Sequence, residues 1–252
     1  MSTDETIQKH VTNGKAQFVK GDALVEEDVR LGWTKAATYG NVDAVLFTVG
    51  EDILFLSLPQ FTLPLGGTPK FHLTKGFLID PENLVTQALL NVLCTIPQDA
   101  PHPRIVVISS IGMTKKSHAA LPFLLKPLYS HFLALPHKDK VGAERAISHC
   151  AGWEWSNKND GDPGEKIMGT AWLQRPNLPS PGSLSKDVLV IRPGLFTDGD
   201  CKTRSDGTPA YRVSEQELTG WTVSRKDVAH FITDAILNRW DEFAGKRINI
   251  VY

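Results

Sequence analysis

Cysteine is scarce in this chain: Cys94, Cys150 and Cys201 are the three in 252 residues, an odd count with no CxxC spacing. That argues against a disulfide framework and a cysteine-built zinc site, and it suits reduced thiols in a cytoplasmic protein. An excess of charge is missing as well. The formal net charge is −1 and the isoelectric point is near 6.7, so no basic footprint offers itself to nucleic-acid phosphates. Long apolar runs are absent too: VDAVLFTVG (42–50) is halted by Glu51 and Asp52, well short of the roughly 20 residues that span a bilayer. No charged segment followed by an apolar run opens the chain, and it holds no internal repeat or low-complexity tract. The expectation is a soluble cytoplasmic protein with no metal and with neither nucleic acid nor membrane as a partner. The absence with the widest consequence concerns glycine. None of the twenty glycines forms GxGxxG or GxxGxxG, and the nearest approach, Gly161 with Gly164, has no strand before it.

What is present alternates strand with helix. AQFVK (16–20) and VDAVLFTVG are short β-branched or aromatic runs, with the helical EEDVRLGWTKAA between them. DPENLVTQALLNVL (80–93) offers Asp80 as N-cap and Pro81 at the first helical position, then sets Val85, Leu89 and Val92 on one face. RIVVISS (104–110) and DVLVIRP (187–193) are continuous apolar runs of the kind buried on both faces of a sheet. KDKVGAERAISH (138–149) reads as a helix. SRKDVAHFITDAIL carries Ser224 and Asp227 in a capping-box-like spacing, and RINIVY closes the chain as a strand. The length fits one α/β domain, residues 1–252. The Pro- and Gly-rich stretch at about 153–186 reads as an insertion, because too few residues follow it for a second α/β unit.

A nucleotide-binding sheet ordinarily opens with a strand, a glycine-rich turn and a helix, since glycines let a pyrophosphate reach backbone N–H groups at the helix N-terminus. Only 15 residues precede AQFVK. Two strands of about 5 residues and a crossover of about a dozen need more than that. The expectation is therefore a Rossmann-like doubly wound parallel sheet, N-terminally truncated, with the first βαβ unit absent. Either apolar strand edges are then exposed, or AQFVK pairs directly with VDAVLFTVG.

FVKGDAL (18–24), DAVLFTVG (43–50), RIVVISSIG (104–112), and VIRPGLFTDG (190–199) with SRKDVAHFI (224–232) occur in an order and at spacings that carry a family likeness. Over roughly 16–152 and 186–252 the chain resembles the atypical short-chain dehydrogenase/reductases, the NmrA-like group that also contains the biliverdin/flavin reductases. The resemblance implies NAD or NADP as cofactor. In its terms Asp22 would hydrogen-bond the adenine amino group, with Ala23 beside it, and the backbone of Thr48, Val49 and Gly50 would pass along the adenosine. Ser109 would sit by the cofactor at a strand's carboxyl edge, and Pro193 and Gly194 would lie against the nicotinamide. Each position also has a plainer reading: Asp22 as a turn former or N-cap, Ser109 and Ser110 as hydroxyls satisfying a strand end, Pro193–Gly194 as a turn.

LALPHKDKVGAERA (133–146) places Lys140 at the family's lysine and Pro136 where the partner tyrosine stands. Proline has no proton to give, so the usual acid–base step is closed, while Lys140 can still clamp ribose hydroxyls. Ser110, His137 and Lys140 are the candidate catalytic residues. His137 is weighed as a general acid against a surface or capping role. Tyr129 reads as packing, and Lys115–Lys116 as solvated surface or an attractor of anions. The tryptophans 153, 155 and 172 are read as a substrate lid or as anchors of the insertion. Three functional readings stay open: a reductase of a small carbonyl or conjugated substrate; a non-catalytic, NmrA-like redox sensor that engages a protein partner; and a truncated form unable to bind the cofactor.

Overall fold

In the computed structural model, which describes residues 5–49, 70–72, 76–78, 80–113, 118, 134–204 and 206–252, the apolar runs become the centre of one sheet. β1 (Ala44–Phe47), β4 (Arg104–Ile108), β5 (Val188–Pro193) and β9 (Lys246–Val251) lie side by side in that order, all parallel. β7 (Arg212–Ser214) closes the far edge antiparallel to β9. Two small ribbons accompany the sheet: β2 (Lys70–His72) with β3 (Gly76–Leu78), and β6 (Leu195–Thr197) with β8 (Thr222–Ser224).

The period of two explains why the central strands are apolar throughout. Ile105, Val107, Val188 and Val190 face one core, shared with α2 (Glu26–Ala37), α3 (Leu84–Cys94) and α4 (Ala134–Ala151). Val106, Leu189 and Ile191 face the other, built with α6 (Arg225–Leu237) and α7 (Trp240–Phe243). Between α4 and β5 the insertion contributes the single-turn α5 (Glu165–Met168). α1 (Glu5–Thr12) precedes the whole. Where α3 and α4 cross, Gly142 is required: a Cβ there would meet the Thr86 hydroxyl and lie 2.7 Å from the Ile167 side chain.

Three local expectations are corrected. AQFVK is not a strand; residues 16–20 have no ladder partner among the described residues, and Phe18 and Val19 are 48% and 42% exposed. A strand exists only where its backbone groups find a neighbour. Among the described residues β1 is the sheet edge and 16–20 does not pair with it, leaving Leu46 exposed. Asp80 does not cap the helix that follows. The Asp80–Pro81 bond is cis, the helix starts at Leu84, and its N-terminal N–H groups are taken by Asp139 of α4. Finally, the described part of α4 runs over Ala134–Ala151, so Pro136 and His137 lie within the helix and not before it.

Candidate functional site

The parallel strands point their carboxyl ends the same way, which is where open α/β sheets place ligands. Pairing continues past β4: the Ser109 N–H donates to the Ile191 carbonyl (2.7 Å) and the Ile111 N–H to the Pro193 carbonyl (3.0 Å). Ser109, Ser110, Pro193 and Gly194 are thereby brought together at this edge. Ser110 is half-buried, and its hydroxyl donates to the Ile111 carbonyl at 3.1 Å. Gly194 is demanded by the backbone, since a Cβ would lie 2.7 Å from the Trp221 carbonyl oxygen just before β8. Thr48, exposed, and Val49, half-buried against the core, follow β1 at the same edge. Gly50, Lys115, Lys116 and Tyr129 lie outside the described residues.

Beneath this edge sits a buried ionic cluster that sequence reasoning missed. The Ser109 hydroxyl donates to Glu144 Oε1 (2.5 Å), and Arg192 forks onto the same carboxylate, Nε to Oε1 at 2.9 Å and Nη2 to Oε2. All three side chains are buried. Burial pushes the Glu144 carboxyl up, but the Arg192 charge and the bonds from Arg192 and Ser109 outweigh it, and the net direction is down. Arg247 stands nearby: its Nη2 donates to the Ser148 hydroxyl (2.7 Å), which donates to the Glu144 backbone carbonyl (2.6 Å). Burial holds the Arg247 guanidinium below the usual arginine range. The available signals in the sequence were faint: an arginine inside the apolar run VLVIRP, and a glutamate four residues after Lys140.

Glu144 ties Lys140 to the edge. Residues four apart share a helix face, so Lys140 stands one turn, about 6 Å, nearer the N-terminus of α4 than the carboxylate that clasps Ser109. Pro136, four residues before Lys140, is buried in the helix and has no proton to give. His137 is half-buried with its pKa pushed down to about 3, by burial first and then by the charges of Lys140 and His118. At pH 7 the imidazole is therefore neutral.

Asp22 and Ala23 form the turn before α2. Asp22 Oδ1 accepts the Leu24 N–H (2.9 Å), its N–H donates to Asp28 Oδ2 (2.8 Å), and its carbonyl accepts the Val25 N–H (2.9 Å). The turn-forming role is thus realised in the structure. The Ala23 carbonyl accepts Asn91 Nδ2 at 2.8 Å. Asn91 lies six residues, about 9 Å, along α3 from Val85, whose N–H meets Asp139. The length of α3 therefore separates the Asp22–Ala23 turn from the Lys140 end.

The donors present suit a ribose–nicotinamide end better than a pyrophosphate. Lys140 carries a cation with three donors, and the buried Pro193–Gly194 turn closes the edge beside Ser109–Ile111. Among the described residues, however, the N-termini of α2, α3 and α6 give a diphosphate no cradle. The α3 N-terminus is filled by the Asp139 carboxylate, which accepts the N–H groups of Val85 (2.7 Å) and Thr86 (2.8 Å). The α6 N-terminus is capped by Ser224 and Asp227, and the first turn of α2 carries Glu26, Glu27 and Asp28, which repel phosphate. The described residues contain no cluster of three metal-ligating side chains, and no described helix is long and apolar enough to cross a membrane.

No protein-family model matches the chain. Among curated proteins it is similar to Reductase pytE of Aspergillus terreus, with 27% identity over 154 residues, 60% of this chain. The chain spans about half the length of that relative (48%). Among solved structures it is similar to ChuY, an anaerobillin reductase from Escherichia coli O157:H7, with a TM-score of 0.51 and 17% identity over 98% of this chain and 81% of that one, a likeness of fold. The chain thus has a mostly parallel Rossmann-like sheet, a fold it shares with ChuY, and over three fifths of its length its sequence is similar to that of a reductase.

Proposed function

We propose that the chain binds NAD or NADP along the carboxyl edge of β1, β4 and β5 and reduces a small carbonyl or conjugated substrate. The observation that carries this reading is the juxtaposition of Ser109–Ile111 with Pro193–Gly194, held by backbone bonds, one helical turn below Lys140. The names of the two relatives, both reductases, support it. A bound reduced nicotinamide would supply the hydride. Lys140 donates to the ribose hydroxyls, the Pro193–Gly194 turn backs the nicotinamide end, and Ser110 orients the substrate oxygen. Pro136 supplies no proton and His137 is neutral at pH 7, so the acceptor is an electron-poor carbon whose product takes its proton from water.

Calorimetric titration with the four nicotinamide nucleotides, followed by reduced-nicotinamide absorbance against a quinone, flavin and aldehyde panel, tests the proposal. Lys140→Ala is expected to weaken nucleotide binding by about 1–3 kcal/mol through lost charge-assisted bonds. His137→Ala should leave turnover within a few-fold, whereas a hundredfold drop would make it the general acid. The buried Pro136 favours a second reading, a nucleotide sensor whose surface engages a protein partner. Saturable binding with no turnover on any substrate would select it. No saturable binding at millimolar nucleotide would overturn both.

A further inference from the structure

A cavity of about 430 Å³ lies between the insertion and the second half of α4, lined by Arg145, His149, Trp153, Trp155, Asn157 and Trp172. Arg145 and His149 are five and nine residues beyond Lys140, about 8 and 14 Å further along the helix, so the cavity is apart from the carboxyl edge. Its walls are fixed. The Arg247 guanidinium lies over the rings of Trp153 (4.8 Å) and Trp155 (5.8 Å), and the Trp155 Nε1–H donates to the Gly161 carbonyl at 3.2 Å. Trp172 meets the His149 ring edge-on at 5.5 Å between centroids, with Arg145 5.9 Å from its own centroid.

Anchoring a loop explains those contacts but not the space. The contacts leave beside them an open cleft of about 430 Å³ that no side chain of the insertion fills. The volume falls within the range of small-molecule sites. Three indoles and an imidazole offer flat π surfaces, and Leu173, 49% exposed, adds apolar surface at the same site. Burial lowers the His149 pKa, which keeps that ring uncharged at neutral pH. The polar element is cationic. Arg145 has an ion pair to the exposed Asp162 at 3.7 Å, beyond hydrogen-bond length, which leaves its fork able to receive an anion. A cationic guest is disfavoured, because two guanidiniums already take the cation–π positions over these rings.

We propose that this cavity is a binding site for a planar aromatic carboxylate, stacked among Trp153, Trp155 and Trp172 with its carboxylate on Arg145. Calorimetry on the full chain with 2-naphthoate, 2-naphthamide and cyclohexanecarboxylate tests it, with intrinsic tryptophan fluorescence as a second readout. One naphthoate per chain is expected, bound at least tenfold tighter than either comparator. Arg145→Gln should weaken it about tenfold. Asn157→Asp, at an exposed lining position that does not threaten the fold, should weaken it several-fold by repulsion. Non-saturable binding at millimolar naphthoate, equal affinity for the amide, or unchanged affinity in both variants would overturn the proposal.

Discussion

Truncating Glu144 to alanine is expected to destabilise the protein by on the order of 3–5 kcal/mol, because it leaves the buried Arg192 guanidinium without its carboxylate and Ser109 without its acceptor. For a chain of this size that is a fall in Tm of on the order of 10 °C. The loss is larger than the net value of the pair, since much of it is the cost of an uncompensated charge. Glu144→Met combined with Arg192→Leu should therefore recover at least half of it, as replacing both partners of a buried pair often costs little. Glu144→Gln keeps an oxygen for Ser109 and should fall between. Urea denaturation of the four proteins decides the matter. A cost below about 1 kcal/mol for Glu144→Ala would mean that water or Arg247 rearrangement satisfies Arg192, and that the cluster does not hold Ser109 in place.

The elements that could be read from the sequence are those whose burial leaves a local signature. RIVVISS and DVLVIRP are apolar at every position because both faces are covered, and Ser224 with Asp227 marks the start of α6 because the cap is made within four residues. AQFVK has the composition of a strand, yet strand formation is decided by a distant neighbour that composition does not specify. The same distinction explains the start of α3. Asp80–Pro81 satisfies the local rule for a helix N-terminus, but the groups that need capping are met by Asp139, 54 residues from Val85.

The site divides in the same way. Ser109, Ser110, Pro193 and Gly194 follow from strand ends, so their shared edge was legible once the strands were. Asp22 was open between an adenine contact and a turn, and the structure shows the turn bonds. Glu144, Arg192 and Arg247 were hidden because a charged residue on an amphipathic helix or near a strand end ordinarily reads as solvated. Only the fold shows Glu144 to be 1% exposed and Arg192 to be its partner. The tryptophans of the insertion were ambiguous between lid and anchor. Arg247 over Trp153 and Trp155 shows anchoring, and the space beside them is what the sequence did not suggest.

Asp227 should prove the second position of large effect. Its fully buried carboxylate accepts the hydroxyls of Ser224 (2.7 Å) and Tyr252 (2.6 Å), the Cys201 thiol (3.1 Å), and the backbone N–H groups of Lys202 and Thr203. One side chain thus joins the α6 N-cap, the residue after β9 and the segment 201–203, where Lys202 also lies 3.7 Å from the Tyr252 ring centroid. Asp227→Ala would strand these donors together and is expected to cost on the order of 4 kcal/mol. The effect carries a pH signature. Burial raises the Asp227 pKa, but the bonds from Tyr252, Ser224, Cys201 and Lys202 override it and hold the carboxyl well below the usual range. A depressed folded pKa contributes stability that is fully present above the unfolded value of about 3.9 and is lost as pH falls toward the folded one. Asp139, whose pKa burial raises, contributes with the opposite sign, but it is common to wild type and Asp227→Asn and cancels in their difference. The stability gap between those two proteins, measured by urea denaturation, should be constant from pH 7 to about 5 and narrow below about pH 4. A gap that stays the same down to pH 3 would show that the Asp227 charge contributes nothing and that the bonds need only its shape.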